Sequence, residues 1–295
     1  MHTHAPARRG HVALALVALY LIWGSTYLAI RFALEGGFPP FLLGGIRFLV
    51  AGGVLYGVLR LRGVPAPTRP QWRNAAVMGV LLLLLGNGLV NYGEQTVASG
   101  MTAVIVSSSA LWMGVFAALR GHRPSALEWT GLGIGFVGVL WLSAGGSLAA
   151  TPAGLAALLV ASVAWSFGSI WSKGRDLPTP FMTAATQMLC GGVAMCLVAL
   201  VLGERFDGLP TAHAIGAFWY LVVAGSLAGF SAYIWLLHHV RPALATSYAY
   251  VNPAIAVVLG ALLAQERFGM RELVAMGVIL VGVLAITVAK SGSAK

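Results

Sequence analysis

The sequence predicts an all-α membrane protein whose ten transmembrane helices form two inverted five-helix repeats, with both termini in the cytoplasm. Three observations predict this fold. The chain is 59% hydrophobic and 9% charged, with a mean hydropathy of +0.86, whereas about 25% of the residues of a soluble domain are charged. The apolar residues fall into ten runs, and a segment of the second half repeats one of the first half. Lipid is therefore the solvent for most of the surface.

Short stretches rich in Pro, Gly and charge separate the ten apolar runs. Most runs reach the ~20 residues that a helix needs to cross a bilayer. The predicted spans are residues 11–34, 40–61, 73–93, 97–119, 126–144, 152–172, 179–202, 213–237, 243–264 and 270–290. The first run has no charge from Val12 to Ile30 and no small-residue cleavage site after it. We therefore interpret it as a span and not as a cleaved signal peptide.

The basic residues predict the orientation of the helices. If the N-terminus is cytoplasmic, thirteen Lys and Arg residues lie inside and four lie outside. Those inside are Arg8, Arg9, Arg60, Arg62, Arg69, Arg73, Arg120, Arg123, Lys173, Arg175, Arg241, Lys290 and Lys295, and those outside are Arg31, Arg205, Arg267 and Arg271. The positive-inside rule then places both termini in the cytoplasm. The net charge of +10 thus belongs to membrane loops and does not indicate nucleic-acid binding.

The internal repeat is clearest between residues 108–140 and 252–284, which coincide at an offset of 144 residues. The coinciding positions include Ala110 with Ala254, Arg123 with Arg267, and the Gly-Val-Leu triplets at 138–140 and 282–284. Each half has an odd number of spans, so the second copy enters the membrane from the opposite side, a plan shared by many transporters. We expect a first repeat over 1–150 and a second, inverted repeat over 151–295.

Three sequence features point to a known family. They are "WGS" from Trp23, Arg47 in the second span, and "NPAIAVVLGALLAQERF" followed by "GVILVGVL" in the last two spans. Together they resemble the drug/metabolite transporter superfamily, in its ten-helix form with two EamA repeats, over essentially the whole chain. The nearest likeness is to YddG-like exporters of aromatic and other amino acids. The resemblance implies a central cavity lined by spans 1, 3, 4, 6, 8 and 9, with spans 5 and 10 at the periphery.

Polar and aromatic side chains at membrane depth are the candidate substrate-binding residues, because lipid makes buried polar groups costly. They are Trp23, Tyr27, Asn87, Asn91, Ser108, Trp112, Trp165, Ser169, Trp235, Tyr248 and Asn252. Asn87 and Asn91 are one helical turn apart, so we expect both amides on one face. Amides donate and accept hydrogen bonds and so suit both ends of an amino acid. Contacts between helices, or anchoring at the membrane interface, are the alternative roles for these residues.

The charged groups bear on the transport mechanism. Arg47 lies well inside a span; a role in the pore would favour anionic substrates, but the resemblance implies a structural position that ties span 2 to its neighbours. No acidic residue lies clearly mid-span, since Glu94 is near the outer end of span 3. His238 and His239 lie at the inner end of span 8. We therefore expect an inner-membrane exporter of aromatic or neutral amino acids and related small metabolites, working by alternating access without a dedicated coupling ion. A proton-coupled multidrug or metabolite exporter is the alternative.

Other classes of protein are disfavoured. An intramembrane enzyme would need a histidine at depth beside a nucleophile, and an ion channel would need rings of charge or an exposed carbonyl filter. We predict no catalytic residue, cofactor or metal site, and no disulfide between Cys190 and Cys196, which point to different faces of a helix. The expected partners are a small-molecule substrate and the bilayer, without nucleic acid. The chain is expected to be a monomer or a weak homodimer, with the glycines of span 5 as a possible contact.

The orientation can be tested with topology reporters. We predict that alkaline phosphatase, which is active only outside the cytoplasm, is inactive when fused after Lys290. The same enzyme inserted at residue 147, after the fifth span, is expected to be active. High activity of the fusion at Lys290 would reverse the predicted orientation.

Overall fold

The structure, a computed structural model, describes residues 9–121, 125–143, 151–239 and 248–292, and these ranges are helical without a strand. The helices are α1 (Arg9–Glu35), α2 (Pro40–Leu61), α3 (Arg69–Gly93), α4 (Ser99–Leu119), α5 (Ala126–Ser143), α6 (Pro152–Trp171), α7 (Pro180–Val201), α8 (Ala212–His239), α9 (Tyr248–Leu263) and α10 (Met270–Gly292). The predicted all-α class is confirmed. The predicted start of the ninth span at 243, the basic residues Arg8, Arg123, Arg241 and Lys295, and the side chains of His238 and His239 lie outside the described part.

Seven segments of the described chain are long and apolar enough to cross a membrane. They are Gly10–Glu35, Pro40–Leu61, Arg69–Gly93, Ser99–Phe116, Pro152–Trp171, Pro180–Val201 and Ala212–Tyr233. Shorter apolar segments lie in α5, α9 and α10. Large apolar side chains such as Trp129 of α5 and Val281 of α10 are more than half exposed. In a multi-pass membrane protein such faces contact lipid.

Proline and threonine set the starts of several helices. Pro40, Pro152 and Pro180 occupy the first turns of α2, α6 and α7, where a missing N–H costs nothing. Thr68 and Thr151 cap α3 and α6 by accepting hydrogen bonds from backbone N–H groups. These caps satisfy donors that have no partner within the helix. The sequence between the apolar runs therefore fixes where each span begins.

Most contacts between helices recur when each helix is replaced by its counterpart in the other half, which lies five helices away in the chain. The most extensive contacts join α2 to α7 and α5 to α10. The pairs α1–α9 and α3–α7 have the counterparts α6–α4 and α8–α2. This pattern fits two related halves, but residues 144–150 lie outside the described part, so the predicted boundary at 150 stays a prediction.

The end of the bundle that is predicted to face outside is here called the outer end. Helix α1 packs there against both α3 and α4. The described conformation is therefore closed between these three helices at the outer end.

Glycines bring α5 and α10 into backbone contact. A Cβ atom on Gly282 would lie 2.5 Å from the backbone nitrogen of Gly135, and one on Gly138 would lie 2.8 Å from Ile279 Cγ1. Gly135 also faces Leu111 of α4. Gly135 and Gly138 of α5 thus face helices of the same chain, and a homodimer stays a prediction.

We predict that Gly282→Ala destabilises the protein by about 1–3 kcal/mol, because the added methyl group meets backbone that cannot move aside. Gly277→Ala on the same helix is the matched control, since a Cβ there meets nothing within 4 Å. Thermal unfolding in detergent should show a melting temperature several degrees lower for Gly282→Ala and not for Gly277→Ala. Equal melting temperatures for the two variants would contradict this packing.

Candidate substrate-binding cavity

Four interruptions of regular α-helix border one cavity in the bundle. Two are π-helical stretches, Gly79–Gly88 in α3 and Leu221–Ala228 in α8. The others are a tightened turn in α4, where the Ser108 N–H donates to the Ile105 carbonyl at 3.0 Å, and Pro253 inside α9. The cavity has a volume of about 120 Å³ and takes residues from each of these stretches.

Helices 1, 3, 4, 6, 8 and 9, which the family resemblance implied, all contribute to the cavity wall. Helix α2 adds Arg47, and no described residue of α5 or α10 takes part. Six of the predicted site residues line the cavity: Trp23, Tyr27, Asn87, Trp165, Tyr248 and Asn252. Their binding of substrate stays a prediction, but the fold brings them together.

The other five predicted site residues do not line this cavity. They are Asn91, Ser108, Trp112, Ser169 and Trp235. Ser108 is buried at the tightened turn, and Trp112 packs edge-on against Phe136 of α5, with ring centroids 4.8 Å apart. The Ser169 hydroxyl donates to the Trp165 carbonyl of its own helix at 2.7 Å. Trp235 packs around Leu19 and Leu236.

The amides of Asn87 and Asn91, predicted to share one face, do not meet at the cavity. Asn87 lines the cavity, and its amide donates to the Leu82 carbonyl at 3.3 Å. The Asn91 amide donates to the Pro40 carbonyl of α2 at 3.0 Å. Asn91 therefore makes the contact between helices that was its alternative role.

Two tryptophans rest on glycines of the π-helical stretches and their ends. A Cβ atom on Gly86 of α3 would lie 3.1 Å from the ring of Trp165. One on Gly229, just after the π stretch of α8, would clash with the Trp23 indole nitrogen. That nitrogen donates to the Gly225 carbonyl at 3.1 Å. The related positions Trp23 and Trp165 therefore build equivalent parts of the wall.

Aromatic rings form an apolar cluster around Trp23. Its ring centroid lies 5.4 Å from that of Phe230 and 4.8 Å from that of Tyr248. Tyr233 adds a third contact at 5.3 Å. Trp23, Phe230 and Tyr248 line the cavity, so its wall is aromatic on this side, as suits an aromatic or aliphatic side chain.

Two polar residues of the cavity wall bear on substrate binding. The Asn252 side-chain oxygen is buried and accepts no hydrogen bond from the described residues. Arg47, which the resemblance implied to be structural, also lines the cavity and donates from Nε to the Ser226 hydroxyl at 2.9 Å. Arg47 is the charged residue among the described lining residues. Its place could have been anticipated only from the cost of a charge inside a span.

A polar network lies at the outer end, beyond the cavity-lining residues Ile30 and Val90. The Glu266 carboxylate accepts from Arg31 Nη1 at 2.5 Å and from the Ser99 N–H at 2.8 Å and hydroxyl at 2.6 Å. It also accepts from the Gly100 N–H at 3.1 Å. Glu266 thereby caps α4 and joins it to α1, which stabilises the closed outer end.

The Glu266 carboxylate is positioned by Gly260 of α9 and by Gln265, which follows that helix. Gly260 leaves room for it, since a Cβ atom there would clash with Glu266 Oε2. Gln265 adopts the left-handed conformation, with φ of 53°, and the Glu266 N–H returns to the Gly260 carbonyl at 3.0 Å. The "GALLAQERF" segment thus folds Glu266 back onto the bundle.

Glu94 lies beside this network without a hydrogen-bond partner. It is 5% exposed, and neither carboxyl oxygen has a partner among the described residues. Burial raises the pKa of the Glu94 carboxyl well above its ordinary range, and the charge of Glu266 adds to the rise, while Arg31 lowers it. The closed outer end therefore favours a protonated Glu94.

Comparison with known proteins identifies the family. The model of the EamA-like transporter family matches the chain twice, over residues 10–144 and 152–288. The chain belongs to the EamA-like transporter family. The inner membrane transporter YedA of Escherichia coli strain K12 is 42% identical over 277 residues, which are 94% of this chain and 90% of YedA. The transporter YoaV of Bacillus subtilis strain 168 is 24% identical over 285 residues, which are 94% of this chain and 96% of YoaV.

A solved crystal structure shows the same fold, with a TM-score of 0.67 at 19% identity, covering 94% of this chain and 97% of the other. Together with the apolar helices, these relationships make the chain a multi-pass inner-membrane transporter and not an enzyme. The likeness to YddG-like exporters stays a prediction.

We predict that Glu94→Gln flattens the pH dependence of thermal stability. The raised pKa means that the folded protein holds a proton that the unfolded chain releases above about pH 4.5. Stability should therefore fall as the pH rises from 5 to 8, by up to ~1.4 kcal/mol per pH unit until the folded pKa is reached. Asp207→Asn, at a side chain that is 94% exposed, is the matched control and should keep the wild-type slope. A wild-type slope in Glu94→Gln would show that another group titrates.

Proposed function

We propose that the protein exports neutral and aromatic amino acids, with related small metabolites, by alternating access and without a dedicated coupling ion. The observation that carries the proposal is the composition of the cavity wall. Aromatic rings form one part, and Asn87 and Asn252 add amide groups at the interrupted stretches of α3 and α9. A neutral zwitterion needs this combination of hydrogen-bonding groups and apolar surface.

The free carbonyl oxygen of Asn252 suits an ammonium group. An amide oxygen accepts hydrogen bonds without adding a formal charge to the membrane interior. The faces of Trp23, Trp165 and Tyr248 add cation–π attraction for the same group and apolar contact for the side chain. Uncharged partners replace the hydration of a charged group only in part, so binding should be weak and broad, which favours release.

The charge of the cavity favours this proposal over proton-coupled multidrug export. No aspartate or glutamate is among the described lining residues, and the buried carboxylates Glu94 and Glu266 belong to the outer end. A substrate-driven cycle fits these observations better than a proton-driven cycle that uses a carboxylate in the cavity.

The presence of two related halves in the chain supports an alternating-access mechanism. The family model matches each half of the chain, and the main helix contacts recur when the halves are exchanged. Inverted repeats in transporters rock against each other around a site at the bilayer midplane. The cavity described above lies between the halves, with residues from α1–α4 and from α6, α8 and α9.

We predict that Asn252→Ala reduces amino-acid flux in liposomes and raises KM about 10-fold or more, because a hydrogen bond to a charged group contributes about 1.5–3 kcal/mol. Flux of radiolabelled phenylalanine and leucine should need no proton or sodium gradient. Asn74→Ala is the matched control, since Asn74 is buried but bonds to the Asp176 carbonyl away from the cavity. It should keep the wild-type KM.

The same assay separates the ways in which the proposal can fail. Wild-type liposomes that move none of a full panel of amino acids would refute the substrate class. A strict requirement for a proton gradient would refute uncoupled transport. An unchanged KM in Asn252→Ala would place the amine-binding group elsewhere.

A further inference from the structure

Arg47 is a buried cation without an ion-pair partner in the described part of the chain. It is 4% exposed, and the ion pairs found there are Arg31–Glu35, Arg31–Glu266 and Arg205–Asp207. No described carboxylate lines the cavity that Arg47 borders. A guanidinium group keeps its charge in proteins, and an uncompensated charge at membrane depth is costly. Such a residue marks a functional site.

Among the described residues, one nitrogen of the Arg47 guanidinium group has a hydrogen-bond acceptor. Nε donates to the Ser226 hydroxyl of α8 at 2.9 Å, and the charge lies 4.8 Å from the centre of the Phe48 ring. No acceptor for Nη1 or Nη2 is found among the described residues. These two nitrogens form the end-on edge of the fork, which matches the two oxygens of a carboxylate.

The π-helical stretch of α8 holds the guanidinium group in place. A Cβ atom on Gly225 would lie 3.0 Å from Arg47 Nη2 and 3.1 Å from Thr26 Cγ2. Gly225 therefore leaves the space that the group occupies, and Ser226 beside it fixes the orientation of Nε. A group held in this way loses little freedom when an anion binds, which increases affinity.

We propose that Arg47 binds the carboxylate of the transported substrate through Nη1 and Nη2. The inference rests on the proposed function and extends it: substrates must carry a carboxylate, and Asn252 and the aromatic rings contact the rest of the molecule. The bound anion supplies the charge compensation that the described part of the chain does not. Amino acids are thus selected over the amines and amides that share their side chains.

The consequence is a preference that can be measured with four ligands of one shape. Phenylalanine carries both charges, phenylalaninamide and phenethylamine lack the carboxylate, and 3-phenylpropionate lacks the amine. A charge-assisted hydrogen bond contributes about 1.5–3 kcal/mol, which corresponds to a roughly 10- to 150-fold change in Kd. The wild-type protein should bind phenylalanine at least 10-fold more tightly than phenylalaninamide.

Isothermal titration of the detergent-purified full-length protein tests the proposal. In Arg47→Gln the ratio of the two Kd values should fall to about 1, with the loss confined to ligands that carry a carboxylate. Arg47→Lys keeps the charge but not the fork and should retain part of the preference. Arg60→Gln is the matched control on the same helix, because Arg60 binds the Val64 carbonyl away from the cavity. It should behave as wild type.

Each outcome decides between the proposals. Equal wild-type affinity for phenylalanine and its amide would overturn the role of Arg47 while leaving amino-acid export intact, and so would an unchanged ratio in Arg47→Gln. If 3-phenylpropionate alone binds, and does so through Arg47, the carboxylate site stands and the amino-acid assignment fails. If none of the four ligands binds, both fail. Should Arg47→Gln not fold, Ser226→Ala, which frees Nε, must lower the ratio, and an unchanged ratio there overturns the proposal.

Discussion

The rest of the structure depends on the requirement that backbone N–H and C=O groups in lipid find partners inside the protein. This requirement explains the helical fold and restricts irregular backbone to places that are buried or that line a cavity. The π stretches of α3 and α8, the tight turn at Ser108 and the break at Pro253 all meet this condition at the same cavity. The site exists where the helices can depart from regular hydrogen bonding without exposing backbone to lipid.

Composition and hydrophobic runs were sufficient to predict the fold, because each span must be apolar along its own length. The matched pair Trp23 and Trp165 also indicated equivalent positions in the two halves, and both line the cavity. The π-helical stretches could not be predicted, since "GVLLLLLGNG" is as apolar as any regular span. The glycines of these stretches were the available signal, because Gly86 and Gly229 are required by tryptophans that are distant in sequence.

The structure of the outer end depends on contacts between segments that are distant in the sequence, so the burial of Glu94 and the position of Glu266 could not be predicted. Glu94 was recognised as lying near the end of a span, but its burial depends on α1 and on the connection after α9. The bond between Arg31 and Glu266 joins residues that are 235 positions apart. The roles of Gly260 and Gln265 cannot be inferred from the sequence pattern without knowing that Glu266 folds back to contact the start of α4. The segment "GALLAQERF" is therefore explained by a contact that joins the end of α9 to α1 and α4.

The two halves keep their packing and differ in their chemistry. The pairs Trp23 on Gly229 and Trp165 on Gly86 are conserved between the halves because both are steric requirements of helix approach. The next position after each glycine differs: Asn87 follows Gly86, and Phe230 follows Gly229, and both line the cavity. Ser109 and Pro253 are a second such pair at the offset of 144, and Arg47 corresponds to Gln187, which does not line the cavity. A repeated chain would build a symmetric cavity, so the polarity of this one arises from the positions at which the repeat has diverged.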